Sequence, residues 1–329
     1  MKIISDLFCF LKNQWFILGI VGAVVLGIAF PGISMLGASG VTSTVLIMLI
    51  FLGTGFTLPS EAVRSGVANV RLHLFLQLFI FGFTPFYFLL AVQPFDFAPY
   101  IKAGIFALAV LPTTISSCIV FTQAFGGNVV GTMFNAVLAN IAGVFISPLL
   151  LSFFIRRAGG GIPLDVLGNV IIGLGWKIIL PVLIGQILHR RYRQTAVQQK
   201  KRVSKVSNIF IILIVLLSMA KSASRPSFFD GLKEMGGAVV LLAVSFYILL
   251  YAGYGLSRVF KFSNPDTISI FFASSQKTMA LGVPLLTIFF SYDPELTGII
   301  LMPLLFYHPW QLLNAGLVKQ FPLIRKVLA

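Results

Sequence analysis

Residues 274–278 read Ser-Ser-Gln-Lys-Thr, and Gly-Val-Pro follows at 282–284. Two hydroxyls, an amide, an ammonium and a third hydroxyl in a row can coordinate an ion, hold an anion or fill the hydrogen-bonding valences of an interrupted helix. The setting makes the cluster unusual, because it lies inside one of the longest apolar runs of the chain. A second cluster of the same kind, Thr113, Thr114, Ser116 and Ser117, occurs within AVLPTTISSCIVFTQAFGGN at 109–128. Each cluster has a proline beside it, Pro112 in one and Pro284 in the other. Unwinding a helix in a bilayer exposes N–H and C=O groups that must find partners. Thr113, Thr114, Ser116 and Ser117 can supply them in the first cluster, and Ser274, Ser275 and Thr278 in the second. The half-helix starting after each break also points its N-terminal N–H groups at the gap, which suits an anion. The plainer alternative is two ordinary proline kinks mended by hydroxyls.

The elements that carry these clusters are membrane spans. The chain is 329 residues long, 58% hydrophobic and 10% charged, with a mean hydropathy of +0.99. Soluble domains carry far more charge, about 25%. Apolar runs of span length follow one another and strand-like alternation is absent, so the expected class is an all-α polytopic membrane protein. Ten spans are expected, near 14–33, 41–58, 70–92, 100–124, 129–155, 166–188, 206–222, 236–257, 266–290 and 296–318. The first is long enough to remain in the membrane and not be cleaved as a signal.

The clusters then fall on spans four and nine, the fourth members of two five-helix halves, 1–157 and 158–329. An odd number of spans per half makes the second half enter with opposite polarity. Matched broken helices in inverted halves point to a transporter site near the midplane. Spans five and ten echo each other weakly, through ISPLLLSFF and LMPLLFYHPWQLL.

The formal net charge of +15 could suggest nucleic acid, but its placement excludes that reading. The densest run, HRRYRQTAVQQKKRVSK at 189–205, is expected to be a loop held on the cytoplasmic side. Sixteen Lys and Arg fall on that side and six on the other, which puts both termini in the cytoplasm of an inner, or plasma, membrane. Cys9 and Cys118 are too few for a disulfide framework, and His73, His189 and His308 lack metal-ligand spacing. All nine acidic residues, Glu61, Asp165 and Glu295 among them, fall at span ends or in loops. Without paired carboxylates, a histidine cluster or an activated nucleophile in the spans, an intramembrane enzyme is not expected.

Lys277 is the exception to this placement. A charge within a span is functional by default. Its ammonium could tie the two broken helices together through their free carbonyls, attract an anionic substrate, or titrate. The alternative, snorkelling to the interface, is disfavoured by its depth in the span. Lys177 is about as deep but has no polar neighbours in sequence, so snorkelling or a water-filled cavity is expected there. Asn135 and Asn140 lie near Thr132 on span five and could line a cavity or bond between helices. His308 and Gln311 share a face of span ten, and His308 could carry protons. The glycines of span one read as helix packing.

RLHLFLQLFIFGFTPF (71–86), the broken span four through FTQAFGGN (121–128), LPVLIGQIL (180–188), SSQKTMALGVPLL (274–286) and LLFYHPWQLL (304–313) together resemble the bile acid:sodium symporter family. The likeness is to a divergent branch of that family. The resemblance implies a panel of helices one, two, six and seven, and a core of helices three to five and eight to ten. Discontinuous helices four and nine would cross in the core beside the substrate and ion sites. By the same resemblance Gln77 matches a sodium-site glutamine. Ser116 and Ser117 fall where span four supplies oxygens, Thr132 matches a hydroxyl of span five, and Gln276 matches the glutamine of the crossing. Phe272 stands where the family carries a sodium-binding glutamate, and Ala136, beside Asn135, replaces a further hydroxyl.

The expectation is therefore a secondary transporter of a small organic anion, working by alternating access without a carboxylate sodium site. No cofactor or resident metal is expected. Sodium coupling through a neutral site of amides, hydroxyls and carbonyls stays open, although Lys277 would repel the ion. The other alternative is a non-transporting regulator of calcium homeostasis, as the resembled branch includes a member tied to calcium control; short termini and the lack of an appended domain weigh against it. The oligomeric state cannot be read from the chain.

Overall fold

The computed structural model describes residues 15–37, 40–58, 69–157, 168, 172–173, 175–224, 226–291, 293 and 296–317. Cys9, Glu61, Asp165 and Glu295 lie outside the described residues, as do Lys2, Lys12 and Arg64 of the charge count. Every regular element among the described residues is helical. In chain order these are α1 (Trp15–Ala29), α2 (Val41–Thr57), α3 (Val70–Ala91), α4 (Pro99–Ala109), α5 (Ser116–Ala124), α6 (Val129–Arg157) and α7 (Leu180–Arg191). Then follow α8 (Arg193–Ala223), α9 (Pro226–Val259), α10 (Asn264–Ser275), α11 (Met279–Phe289) and α12 (Thr297–Leu317). Four are long and apolar enough to cross a membrane by themselves: α3, α8, Val129–Ile155 of α6 and Phe228–Val259 of α9. The protein is a multi-pass membrane protein.

Proline sets much of the local geometry. Two π turns, Phe79–Phe83 and Gly175–Ile179, each end immediately before an X-Pro pair, Thr84-Pro85 and Leu180-Pro181. Proline lacks an N–H and its ring crowds the carbonyl one turn back, and a π turn widens the ladder to admit it. At the first turn the Thr84 hydroxyl donates to the Phe79 carbonyl at 3.0 Å.

The basic run 189–205 is a correction to the expected loop. It is helical, shared between the end of α7 and the first turns of α8. Lys, Arg, Gln and Ala are all good helix formers, and polarity alone does not break a helix. Likewise α9 starts ten residues before the expected start of span eight at 236.

The chain divides into two compact units. The first comprises Met1–Leu58, Ile172–Asp230 and Leu286–Ile299. Its helices approach through glycine: a Cβ on Gly55 would lie 2.3 Å from the Val182 carbonyl oxygen, and one on Gly185 2.4 Å from that of Leu52. Gly19 and Gly27 of α1 meet Ile212 and Met219 of α8 in the same way, whereas Gly22 faces open space. Small residues let helix backbones close on each other where lipid offers no hydrophobic drive. At the end of α2, His189 Nδ1 lies 2.7 Å from the Phe56 carbonyl oxygen and Gln186 donates to that of Leu58 at 3.2 Å.

The second unit comprises Pro59–Ile171, Gly231–Leu285 and Ile300–Ala329. Here α3 is capped by Asn69, whose side chain accepts from Leu72 N–H, and α10 by Ser263, which accepts from Asp266 N–H. Asp266 in turn accepts from Asn69 at 3.1 Å and Asn128 at 2.7 Å, so one carboxylate gathers the starts of α3, α6 and α10. Both helix interruptions fall within this unit.

Candidate functional site

The first interruption, between α4 and α5, spans 110–115; the second, between α10 and α11, spans 276–278. Pro112 lies in the first break, as expected. Pro284 does not lie in the second: it sits inside α11, and the chain opens at Gln276, Lys277 and Thr278. The backbone groups of Ser275, Lys277 and Thr278 are where outside partners are provided, so the opening follows the partners and not the proline.

The two breaks meet. Thr278 N–H donates to the Pro112 carbonyl at 2.9 Å. Lys277 is only 1% exposed, and its ammonium donates to the carbonyls of Ala109 at 2.8 Å and Leu111 at 2.7 Å. These are end-of-helix carbonyls that α4 cannot satisfy from within. The backbone of Lys277 is held from α12: Gln311 Oε1 accepts from its N–H at 2.7 Å, and Gln311 Nε2 donates to its C=O at 2.8 Å. His308 Nδ1 lies 2.9 Å from Gln311 Nε2. Tyr307 donates its O–H to the Ser275 carbonyl at 2.7 Å. On the other side Ser147 of α6 donates to the Val110 carbonyl at 2.7 Å, and Asn140 to that of Thr113 at 2.9 Å.

The sequence clusters were expected to mend the breaks with their own hydroxyls, and the observed partners differ. Backbone groups are served from α6, α12 and Lys277, while the hydroxyls of Thr114 and Ser117 both donate to Gln276 Oε1, each at 2.6 Å. With both protons given to Gln276, the Thr114 and Ser117 oxygens lie against each other without a hydrogen bond between them. Ser274 turns to α9, donating to the Leu249 carbonyl at 3.2 Å. Ser116 is exposed at the first residue of α5 and joins no hydrogen bond among the described residues. Thr113 and Ser275 are buried beside the breaks. Ser147 and Tyr307 were not foreseen. Their only signal is position, Ser147 beside Pro148 and Tyr307 between Phe306 and His308.

The remaining candidates form a neighbouring polar pair of contacts. Gln77 Nε2 donates to Asn135 Oδ1 at 2.8 Å, and Thr132 bonds Thr122 at 3.3 Å. Gln77 Oε1, Asn135 Nδ2 and Gln276 Nε2 are buried without a hydrogen-bond partner among the described residues, so each keeps bonding capacity for a ligand or water. Phe272 is fully buried, with its ring 5.7 Å from Phe121 and 5.0 Å from Phe125. An aromatic contact thus occupies this position, and the Phe272 side chain offers no oxygen ligand. No His, Cys, Asp and Glu group able to hold a metal occurs among the described residues. Cys118 is a buried free thiol. Lys177 lies in the second π turn and lines a cavity of the first unit, with polar neighbours that the local sequence does not reveal.

The SBF-like CPA transporter family matches residues 14–321. The sodium/bile acid cotransporter 7-B of Xenopus laevis is 28% identical over 314 residues, covering 92% of this chain and 90% of that protein. The sodium/bile acid cotransporter 7 of Mus musculus is 27% identical over 314 residues with the same coverage. That of Danio rerio is 27% identical over 312 residues, covering 92% and 91%.

Proposed function

Because the chain belongs to the SBF-like CPA transporter family and is a transporter, not an enzyme, we propose that it carries a small organic anion across the membrane by alternating access. In this reading ten spans form two inverted repeats, 1–157 and 158–329. A panel of spans one, two, six and seven works with a core of spans three to five and eight to ten. The division of the chain into two compact units, one built mainly from α1, α2, α7 and α8, supports that grouping. Both termini face the cytoplasm from the inner membrane, as the distribution of Lys and Arg favours.

The observation that carries the reading is the junction of the two helix breaks through Lys277 and Gln276. A transporter site needs irregular backbone that is stable in the membrane, and here it is braced by buried side chains. Gln77, Thr132, Asn135, Gln276 and the hydroxyls of Thr113, Thr114, Ser117, Ser275 and Thr278 then offer neutral donors and acceptors for the substrate. Ser116, Ser274 and His308 flank them. Coupling does not use a carboxylate-ligated sodium ion, because Phe272 offers no oxygen and Lys277 already supplies a positive charge.

A second reading has one observation in its favour: the similar proteins are named sodium/bile acid cotransporters. On that reading amide and carbonyl oxygens around Gln77 and Asn135 form a neutral sodium site. Uptake of labelled organic anions into proteoliposomes, with and without a sodium gradient, decides between them. Anion uptake that ignores sodium supports the proposal, and steep sodium dependence overturns it in favour of the neutral site. A folded protein that takes up no anion under any gradient points to the regulator.

A further inference from the structure

The first unit holds a cavity of about 350 Å³, separate from the helix breaks. Its lining comes from Ser34, the start of α2, the second π turn, the end of α8, and Thr287, Ile288, Ser291 and Thr297. Two lining side chains are cations, Lys177 from the π turn and Lys221 from the last turn of α8. Among the described residues no carboxylate lines the cavity, and neither lysine makes a hydrogen bond or ion pair. Two like charges facing one space disfavour each other unless an anion lies between them.

The rest of the lining favours the same kind of guest. Ser218 and Thr297 are 8% and 2% exposed, and neither has a hydrogen-bond partner among the described residues. Both hydroxyls are therefore left to bond a ligand or water in the cavity. The cavity also borders the N-terminus of the 17-residue α2, where Gly40 (φ 68°) caps the helix without a side-chain hydrogen bond. That end of a helix carries partial positive charge. Gly40 adopts the left-handed conformation, which a side chain there would strain.

Size and walls narrow the class further. Ile47, Leu217 and Ile288 supply apolar surface between the polar groups. A cavity of this volume lies at the small end of organic-ligand pockets, which run from about 300 to 1,000 Å³. Hydrocarbon walls flanked by two ammonium groups match a short carbon skeleton with a negative charge at each end. We infer that this cavity is a binding site for a small organic dianion of the dicarboxylate class, with Lys177 and Lys221 each taking one carboxylate.

The test is calorimetric titration of the full-length protein in detergent with succinate and with inorganic sulfate. Saturable succinate binding, tighter than that of sulfate, is expected. Lys177→Gln and Lys221→Gln should each weaken it about tenfold or more, and the double variant should abolish it. Lys201→Gln, an exposed lysine on α8, should bind as the unaltered protein does. A second readout needs no variant: succinate should protect Lys177 and Lys221, and not Lys201, from acylation by an amine-reactive reagent. Absence of saturable succinate binding overturns the site, as does unchanged affinity in the double variant or equal loss in Lys201→Gln. Sulfate binding as tight as succinate overturns the organic-acid assignment. Both readouts work without a membrane gradient, so a failure of transport cannot imitate a failure of this site.

Discussion

Lys277 and Lys177 are both cations within apolar stretches, and they are handled in opposite ways. Lys277 is buried and its ammonium is bound to two backbone carbonyls, so its charge is spent on architecture. Lys177 is half-buried, lines the same cavity as Lys221, and makes no side-chain bond among the described residues. The pair teaches that depth in a span does not set a lysine's role. What decides it is whether the neighbouring backbone has unpaired acceptors to offer.

The sharpest way to break this contrast is to remove the first ammonium. Lys277→Met leaves the Ala109 and Leu111 carbonyls buried and unpaired, at about 1–3 kcal/mol each. Its thermal midpoint should fall steeply and anion uptake should vanish. Lys277→Arg should not restore uptake, because a planar fork cannot reach both carbonyls as a compact ammonium does. A Lys277→Met protein as stable as its parent would end the architectural role. Next in size is Phe272→Ala, which empties a packed aromatic site and should destabilise by about 3–5 kcal/mol. If unfolding experiments show a much smaller loss, Phe272 is not the packed aromatic filler that its contacts suggest.

Smaller effects refine the contrast. Ser147→Ala removes one donor to the first break, at the Val110 carbonyl, and should lower stability by about 1–3 kcal/mol. Denaturation of the purified variant would measure it. The smallest change belongs to Lys177→Gln, expected to stay within about 0.5 kcal/mol of the parent. A loss there as large as that of Ser147→Ala would mean that Lys177, too, is structural.

Much of this was legible from the residues. The helical class follows from apolar runs of bilayer length, and both breaks announce themselves as polar clusters at 113–117 and 274–278. Which residue serves which backbone group was not legible, since it depends on contacts over long sequence separations. Ser147 serves Val110 from 37 residues away, and Gln311 serves Lys277 from 34. Proline misled at position 284, because a helix in a packed bundle can keep a proline wherever no neighbour offers partners for an open backbone. The basic run 189–205 misled differently: charge reports which side of a membrane a segment occupies and is silent about its secondary structure. The lining of the first unit's cavity escaped notice because its hydroxyls are scattered over four segments, none of them conspicuous alone.

The bonds from Lys277 to Ala109 and Leu111 also impose an order on biosynthesis. Their partners are separated by 168 and 166 residues of chain. At ordinary translation speeds the carbonyls of the first break therefore exist for roughly 10–30 seconds before the ammonium that will satisfy them has been made. During that interval the first half of the protein is an incomplete membrane insert, with acceptors that only water or the insertion machinery can serve. The nascent chain becomes self-sufficient in the bilayer only once the segment carrying Lys277 arrives.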